Sequence, residues 1–262
     1  LRVSFGGMKR TIALFALSFA TASLFAAGEP VEYTSSGATL EGYLAKPQGA
    51  EATTAPGILI IHDWMGLQDF AKQQADRLAA AGYVAFAADI YGKGVRPKTT
   101  DEATEQATKY KSDRELFRER ANAALVELRK QCDPSRIVAI GYCFGGMGVL
   151  ELARSGADLR GVVSFHGGLD APTPAEVTRP VPKILVLHGA DDPYVPDAEV
   201  AGFVKEMKAA KADWQMVFLG NAVHAFTSPG AGNDPTKGAA YDAIADARSR
   251  AYFELFLAEV LK

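Results

Sequence analysis

Ile140-Gly-Tyr-Cys-Phe-Gly-Gly-Met-Gly148 follows directly on the apolar run Arg136-Ile-Val-Ala139. The run suits a strand buried on both faces, and the glycines after it require the strand to end abruptly. Gly141-x-Cys143-x-Gly145 has the spacing of a nucleophile elbow, a sharp strand-to-helix turn that exposes its central side chain, with glycines on either side because neighbouring chains crowd close. A helix starting near Phe144 puts the Cys143 sulfur at its amino end. Unpaired N–H groups and the helix dipole there favour thiolate over thiol and can bind an oxyanion. The plainer reading is a buried, inert cysteine beside a tight turn, so the partners of Cys143 decide between the two.

Outward from this stretch the same grammar repeats. Ile58–Ile61, Tyr83–Phe86, Gly161–Phe165, Lys183–Leu187 and Trp214–Leu219 are further short apolar runs. Between many of them lie helical patterns, with Phe70, Ala71, Ala75, Leu78 and Ala79 on one face, and Phe117, Ala121, Ala124, Leu125 and Leu128 on another. Gly82 is expected to close the first helix, and Ser112 with Glu115 to form a capping box for the second. Val31–Tyr33 and Thr39–Ala45, joined by Thr34-Ser-Ser-Gly37, predict an opening antiparallel hairpin. A final helix is expected between Lys237 and Leu261, with Ile244, Tyr252, Leu255 and Phe256 inward and Arg248 interrupting that stripe. Strands alternating with helices predict an α/β chain built on a doubly wound, mostly parallel sheet.

In such sheets ligands meet the carboxyl ends of the strands, where Cys143 falls. Asp192, after the strand ending at Leu187, and His224, past the last expected strand, follow it in the order nucleophile, acid, histidine. His224 would take the thiol proton, and Asp192 would fix the imidazole tautomer and stabilise the imidazolium.

On Gly141-Tyr-Cys-Phe-Gly-Gly146, Gly189-Ala-Asp-Asp-Pro-Tyr-Val-Pro196, Val223-His-Ala-Phe226 and Ala88-Asp-Ile-Tyr91, the chain resembles the dienelactone hydrolase family of α/β-hydrolases over roughly Val31 to Leu261. The resemblance implies the α/β-hydrolase fold, with Cys143, Asp192 and His224 as triad and the backbone N–H groups of Trp64 and Phe144 as oxyanion hole. Asp63 stands where relatives carry a glutamate that helps control the thiol, one methylene longer. Where relatives hold the carboxylate of dienelactone with two arginines, this chain has Lys93 and Ser228, with Arg96 and Lys98 on the loop of the former. A lysine lacks the guanidinium fork and a serine carries no charge, so weak activity on dienelactone itself is expected, and a different ester or lactone as substrate. Tyr91 and Phe226, with Trp64, Phe144 and Tyr194, are candidate walls of an apolar pocket, about half of which would simply pack the core.

The 262 residues, 48% hydrophobic and 23% charged, describe an ordinary globular chain. Met8-Lys-Arg10, the apolar run Thr11–Ala27 and small residues at its end predict a secretory signal peptide over residues 1–27, cut after Ala22 or near Ala26 and Ala27, with Met8 as the expected start. A membrane anchor is the alternative, but the run is at the short limit for a span. The hydrolase domain is then 28–262, secreted or periplasmic, with no stable membrane association. Losing Arg2, Lys9 and Arg10 and no acid moves the formal charge from −3 to −6, which opposes nucleic acid as a partner. Cys132 and Cys143 bracket a strand of about seven residues at ~3.3 Å each, too long for a disulfide, whose Cα atoms lie within ~7 Å. Cys143 is expected as a free thiol.

His62, His166 and His188 each follow an expected strand, near Asp63 and Asp191, which permits a metal site. No H-x-x-x-H or C-x-x-C spacing supports one, and histidines that hydrogen-bond behind the site or within the core are the plainer reading. Gly141, Gly145, Gly146 and Gly148 match neither the dinucleotide fingerprint nor the P-loop. No metal or cofactor is expected, and the partner is a small-molecule ester or lactone. A non-catalytic carrier or a thiol redox sensor on the same scaffold is the rival class, but neither would use Asp192, His224 or an oxyanion hole.

Overall fold

The computed structural model describes residues 28–49, 54–171 and 182–262, so the signal peptide read over 1–27 and most of the loop between 167 and 182 lie outside it. The apolar runs become strands of one eight-stranded sheet among the described residues: β1 (Glu29–Ser35), β2 (Ala38–Ala45), β3 (Pro56–Ile61), β4 (Val84–Ala88), β5 (Asp133–Tyr142), β6 (Gly161–Phe165), β7 (Lys183–Gly189) and β8 (Trp214–Leu219). Their spatial order is β1-β2-β4-β3-β5-β6-β7-β8. The β1–β2 hairpin turns through Ser36 and Gly37, both at positive φ, and joins β4 antiparallel. From β4 to β8 every pairing is parallel.

The helices are α1 (Asp69–Ala80), α2 (Thr100–Ser112), α3 (Arg114–Arg129), α4 (Phe144–Arg154), α5 (Asp197–Ala209) and α6 (Ala243–Val260). Strand side chains alternate between two cores. Leu59, Ile61, Ala139 and Val186 pack with α3, α4 and α5, while Ile58, Ile60, Ile140 and Leu187 pack with α1 and α6. Burial on both faces explains why these strands are continuously apolar rather than alternating. It is the α/β-hydrolase arrangement expected from the sequence.

The chain runs from β3 to β4 on one side and then crosses to β5 on the other, so β3 and β5 are neighbours whose outgoing segments part company. Such a switch point opens a crevice at the carboxyl edge. Trp64 leaves β3 there, and Cys143 leaves β5.

Three local expectations need correction. Ser112 is the last residue of α2, and the cap of α3 is Asp113, which accepts from the Leu116 N–H at 2.9 Å. Helix α2 is not among the helices expected from the sequence, and is started by the Thr99 hydroxyl, which accepts from the Glu102 N–H. On α6 only Phe256 of the expected inward set is buried, while Ile244, Tyr252 and Leu255 are 64%, 43% and 69% exposed. The helix phase follows Phe253, Phe256, Leu257 and Val260, an i, i+3, i+4, i+7 stripe laid on β6 and β7. The polar start of that face is satisfied internally: Asp246 takes a two-pronged bond from Arg250, and the Ser249 hydroxyl donates to the Asp246 carbonyl.

Candidate active site

The turn after β5 is an elbow with Cys143 at φ 53° and ψ −115°. That conformation lies outside the regions an L-residue populates freely, and packing explains the flanking glycines. A Cβ on Gly141 would stand 2.0 Å from the Gly145 carbonyl oxygen, and one on Gly145 would stand 2.2 Å from the Ile61 carbonyl oxygen. The crowding therefore ties β5, α4 and β3 together around the cysteine. Cys143 is partly exposed and free, and Cys132 is free and buried at the opposite end of β5, its thiol donating to the Leu128 carbonyl.

His224 reaches this elbow from the loop after β8. Its backbone is pinned by bonds with Gly238 and Ala240, its Nδ1 lies 2.7 Å from Asp192 Oδ2, and its imidazole lies within the electrostatic reach of the Cys143 sulfur. Asp192 is buried in the turn after β7, its Oδ1 accepting from the Tyr194 N–H at 2.9 Å. Asp191 beside it is exposed. Burial alone would lower the pKa of His224, but the Cys143 sulfur and the Asp192 carboxylate outweigh it and push the group up to about 10. The imidazolium is the form this pocket favours at neutral pH. Replacing Asp192 by Asn withdraws a carboxylate that helps raise the His224 pKa, so the His224 titration followed by NMR is expected to move to lower pH. An unchanged midpoint would mean that the 2.7 Å contact carries no charge pairing.

The β3 exit is built as a tight loop. Asp63 Oδ1 accepts from the Met65 N–H at 2.8 Å, the Asp63 carbonyl accepts from Gly66, and Tyr91 and Gln68 donate to the carbonyls of Trp64 and Met65. Among the described residues neither the Trp64 N–H nor the Phe144 N–H, at the start of α4 where no side chain caps the helix, has a hydrogen-bond partner. Burial raises the Asp63 pKa, against the Met65 N–H and His224, which lower it. Its carboxylate thus lies within the field of His224 but is hydrogen-bonded into its own turn, with no hydrogen bond to Cys143 among the described residues.

Other sequence-singled residues go elsewhere. Lys93 pairs with Glu32 on β1. Arg96 spreads over Asp89 and the carbonyls of Gly92, Val95 and Glu41. Both cations are engaged with the β1–β2 hairpin side and the β4 exit. Phe226 is fully buried in the α1–α6 core, edge-on to His166, and Tyr91 is buried against His62 and Phe144. Tyr194 is 59% exposed, its ring edge-on to His224. His62 bonds the Asp63 carbonyl through Nδ1 and accepts the Ile90 N–H at Nε2, and burial pushes its pKa down to about 4. Gln68, which also donates to the Pro97 carbonyl, escaped the sequence reading because nothing local marks a glutamine as a loop clamp.

The sequence model of the dienelactone hydrolase family matches residues 40–261. Among solved structures, a dienelactone hydrolase-like promiscuous phosphotriesterase from metagenomic libraries is 38% identical, with a TM-score of 0.82, covering 90% of this chain and 98% of that one. A structure titled m3DLH is 35% identical with a TM-score of 0.83 over the same shares. A carboxymethylenebutenolidase homolog of Xenopus tropicalis is 25% identical over 76% of this chain and 82% of its own length.

Proposed function

The chain belongs to the dienelactone hydrolase family, and from that premise we propose that it hydrolyses a carboxylic ester or enol-lactone through Cys143, His224 and Asp192 by way of an acyl-enzyme. The observation that carries the proposal is the position of His224, its Nδ1 2.7 Å from Asp192 Oδ2 and its imidazole within the electrostatic reach of the Cys143 sulfur. The sulfur attacks the carbonyl carbon, and the Trp64 and Phe144 N–H groups receive the oxyanion. The imidazolium of His224 gives its proton to the departing oxygen as the tetrahedral adduct collapses to a thioester. Water then adds to the thioester, losing a proton to His224, and the sulfur leaves as the acid is released.

Substrate preference follows from the leaving group. Enolates, phenolates and thiolates depart with little protonation, whereas an amine needs firm proton donation in the transition state. A general acid supplies about 10²–10⁴-fold, so activated esters are expected to exceed the matching anilide by at least about a hundredfold in kcat/KM. Acid quenching during turnover should find the acyl group on the peptide carrying Cys143. Equal ester and anilide rates, or an acyl group on another residue, would overturn the mechanism.

With Lys93 engaged by Glu32 and Ser228 uncharged, dienelactone is proposed as a poor substrate. A phosphotriester belongs in the substrate panel because the 38% identical relative is described as a promiscuous phosphotriesterase. The leader read over residues 1–27 makes export part of the proposal, tested by the amino terminus and cell fraction of the mature protein.

A further inference from the structure

We propose that His166 is a positioning residue that holds the Cys143 elbow in register with the loop carrying His224; this inference rests on the Cys143–His224–Asp192 reading above. The Cys143 N–H is shared between the Phe165 carbonyl at 3.0 Å and His166 Nδ1 at 3.2 Å. The other ring nitrogen, Nε2, lies 2.8 Å from the Thr227 hydroxyl. A backbone N–H can only donate, so Nδ1 is the accepting nitrogen, and the ring proton sits on Nε2 and is donated to Thr227. Thr227 is buried and follows His224 by three residues on the same loop. One neutral imidazole therefore bridges the nucleophile's backbone to the base's loop.

The bridge requires the neutral ring, because a proton on Nδ1 would face the Cys143 N–H. Burial and the His224 imidazole, 5.2 Å away between ring centres, hold the His166 pKa well below the ordinary value. The elbow needs such support. Backbone in so sparsely populated a conformation persists only where its surroundings over-determine it. His166 is itself at φ 40°, so the receiving side is strained to present the ring. Without the imidazole, the Cys143 N–H keeps only the Phe165 carbonyl, and the sulfur is free to drift from its line to His224. Misplacement of a reacting group by ~1 Å can cost about 10²-fold.

The test compares His166→Phe, His166→Asn, Thr227→Val and Cys143→Ala, reading kcat and KM on a p-nitrophenyl ester and the rate of Cys143 alkylation by iodoacetamide. Phe fills the space without an acceptor, and is expected to lower kcat about a hundredfold at nearly constant KM and to slow alkylation. The Asn side-chain oxygen can stand where Nδ1 stood, so His166→Asn is expected to recover most of that loss. Thr227→Val, which cuts only the far end, should cost about fivefold, the scale of one neutral hydrogen bond. A space-filling role predicts the reverse ranking, Phe tolerated and Asn harmful. That ranking, or parental kcat and alkylation in His166→Phe, would overturn the proposal; if His166→Phe does not fold, an unchanged Thr227→Val does so. Activity surviving in Cys143→Ala would instead sink the underlying mechanism.

Discussion

Cys143→Ala is expected to lower kcat/KM on activated esters, lactones and thioesters by about 10⁴-fold or more, with the fold retained. The side chain is partly exposed, so its structural contribution is small beside its part in the chemistry. Alanine at the elbow carries the same backbone strain as cysteine, so the turn and the Trp64 and Phe144 N–H groups beside it remain. What disappears is the nucleophile. The oxyanion site and His224 can then only assist direct attack by water, which accounts for the residual rate that triad-deleted hydrolases keep. Cys143→Ser is expected to fall between the two, because a hydroxyl is a weaker nucleophile than a thiol and gives up its proton to His224 less readily. Parent and Cys143→Ala behaving alike on every substrate would remove the proposed chemistry and favour the carrier reading. A redox sensor predicts a different pattern: loss of peroxide-dependent modification in Cys143→Ala, without loss of ester turnover.

The second large effect is on folding. Gly145→Ala is expected to destabilise the protein by about 3 kcal/mol or more, the upper end for overpacking. Its Cβ would sit 2.2 Å from the Ile61 carbonyl oxygen and 2.6 Å from that of His62. Both are backbone atoms of β3 and its exit, which cannot rotate out of the way as a side chain could. Relief would require β3 and the start of α4 to separate, pulling apart the two segments that carry Trp64 and Phe144. Gly202→Ala is the control. Gly202 lies within α5 with open space where a Cβ would go, so alanine there is expected to stabilise by about 0.5–1 kcal/mol. Urea unfolding of the three proteins checks both signs. Gly145→Ala unfolding at the parent midpoint would mean that the elbow is not packed as described.

The fold class, the sharp turn at Cys143 and the order of the residues expected to partner it are legible in the sequence alone. These depend on properties the chain carries locally: apolar runs of strand length, helical spacing between them, and glycines where no side chain fits. The closing of α1 by Gly82, at φ 97°, is of the same kind. Tertiary structure decided everything that turns on competition among partners. Residue type says that Lys93 and Arg96 are cations, but only the folded hairpin offers them Glu32, Asp89 and the Glu41 carbonyl in place of a ligand. The phase of α6 likewise differs from the one expected, because β6 and β7 present the surface that Phe253 and Leu257 cover. Asp63 bonds into its own turn instead of reaching the thiol, and His166 takes its tautomer from an amide 23 residues away. A backbone preference is settled within a few residues, whereas the partner of a charge or a ring nitrogen is settled by whichever distant group the fold brings within 3 Å.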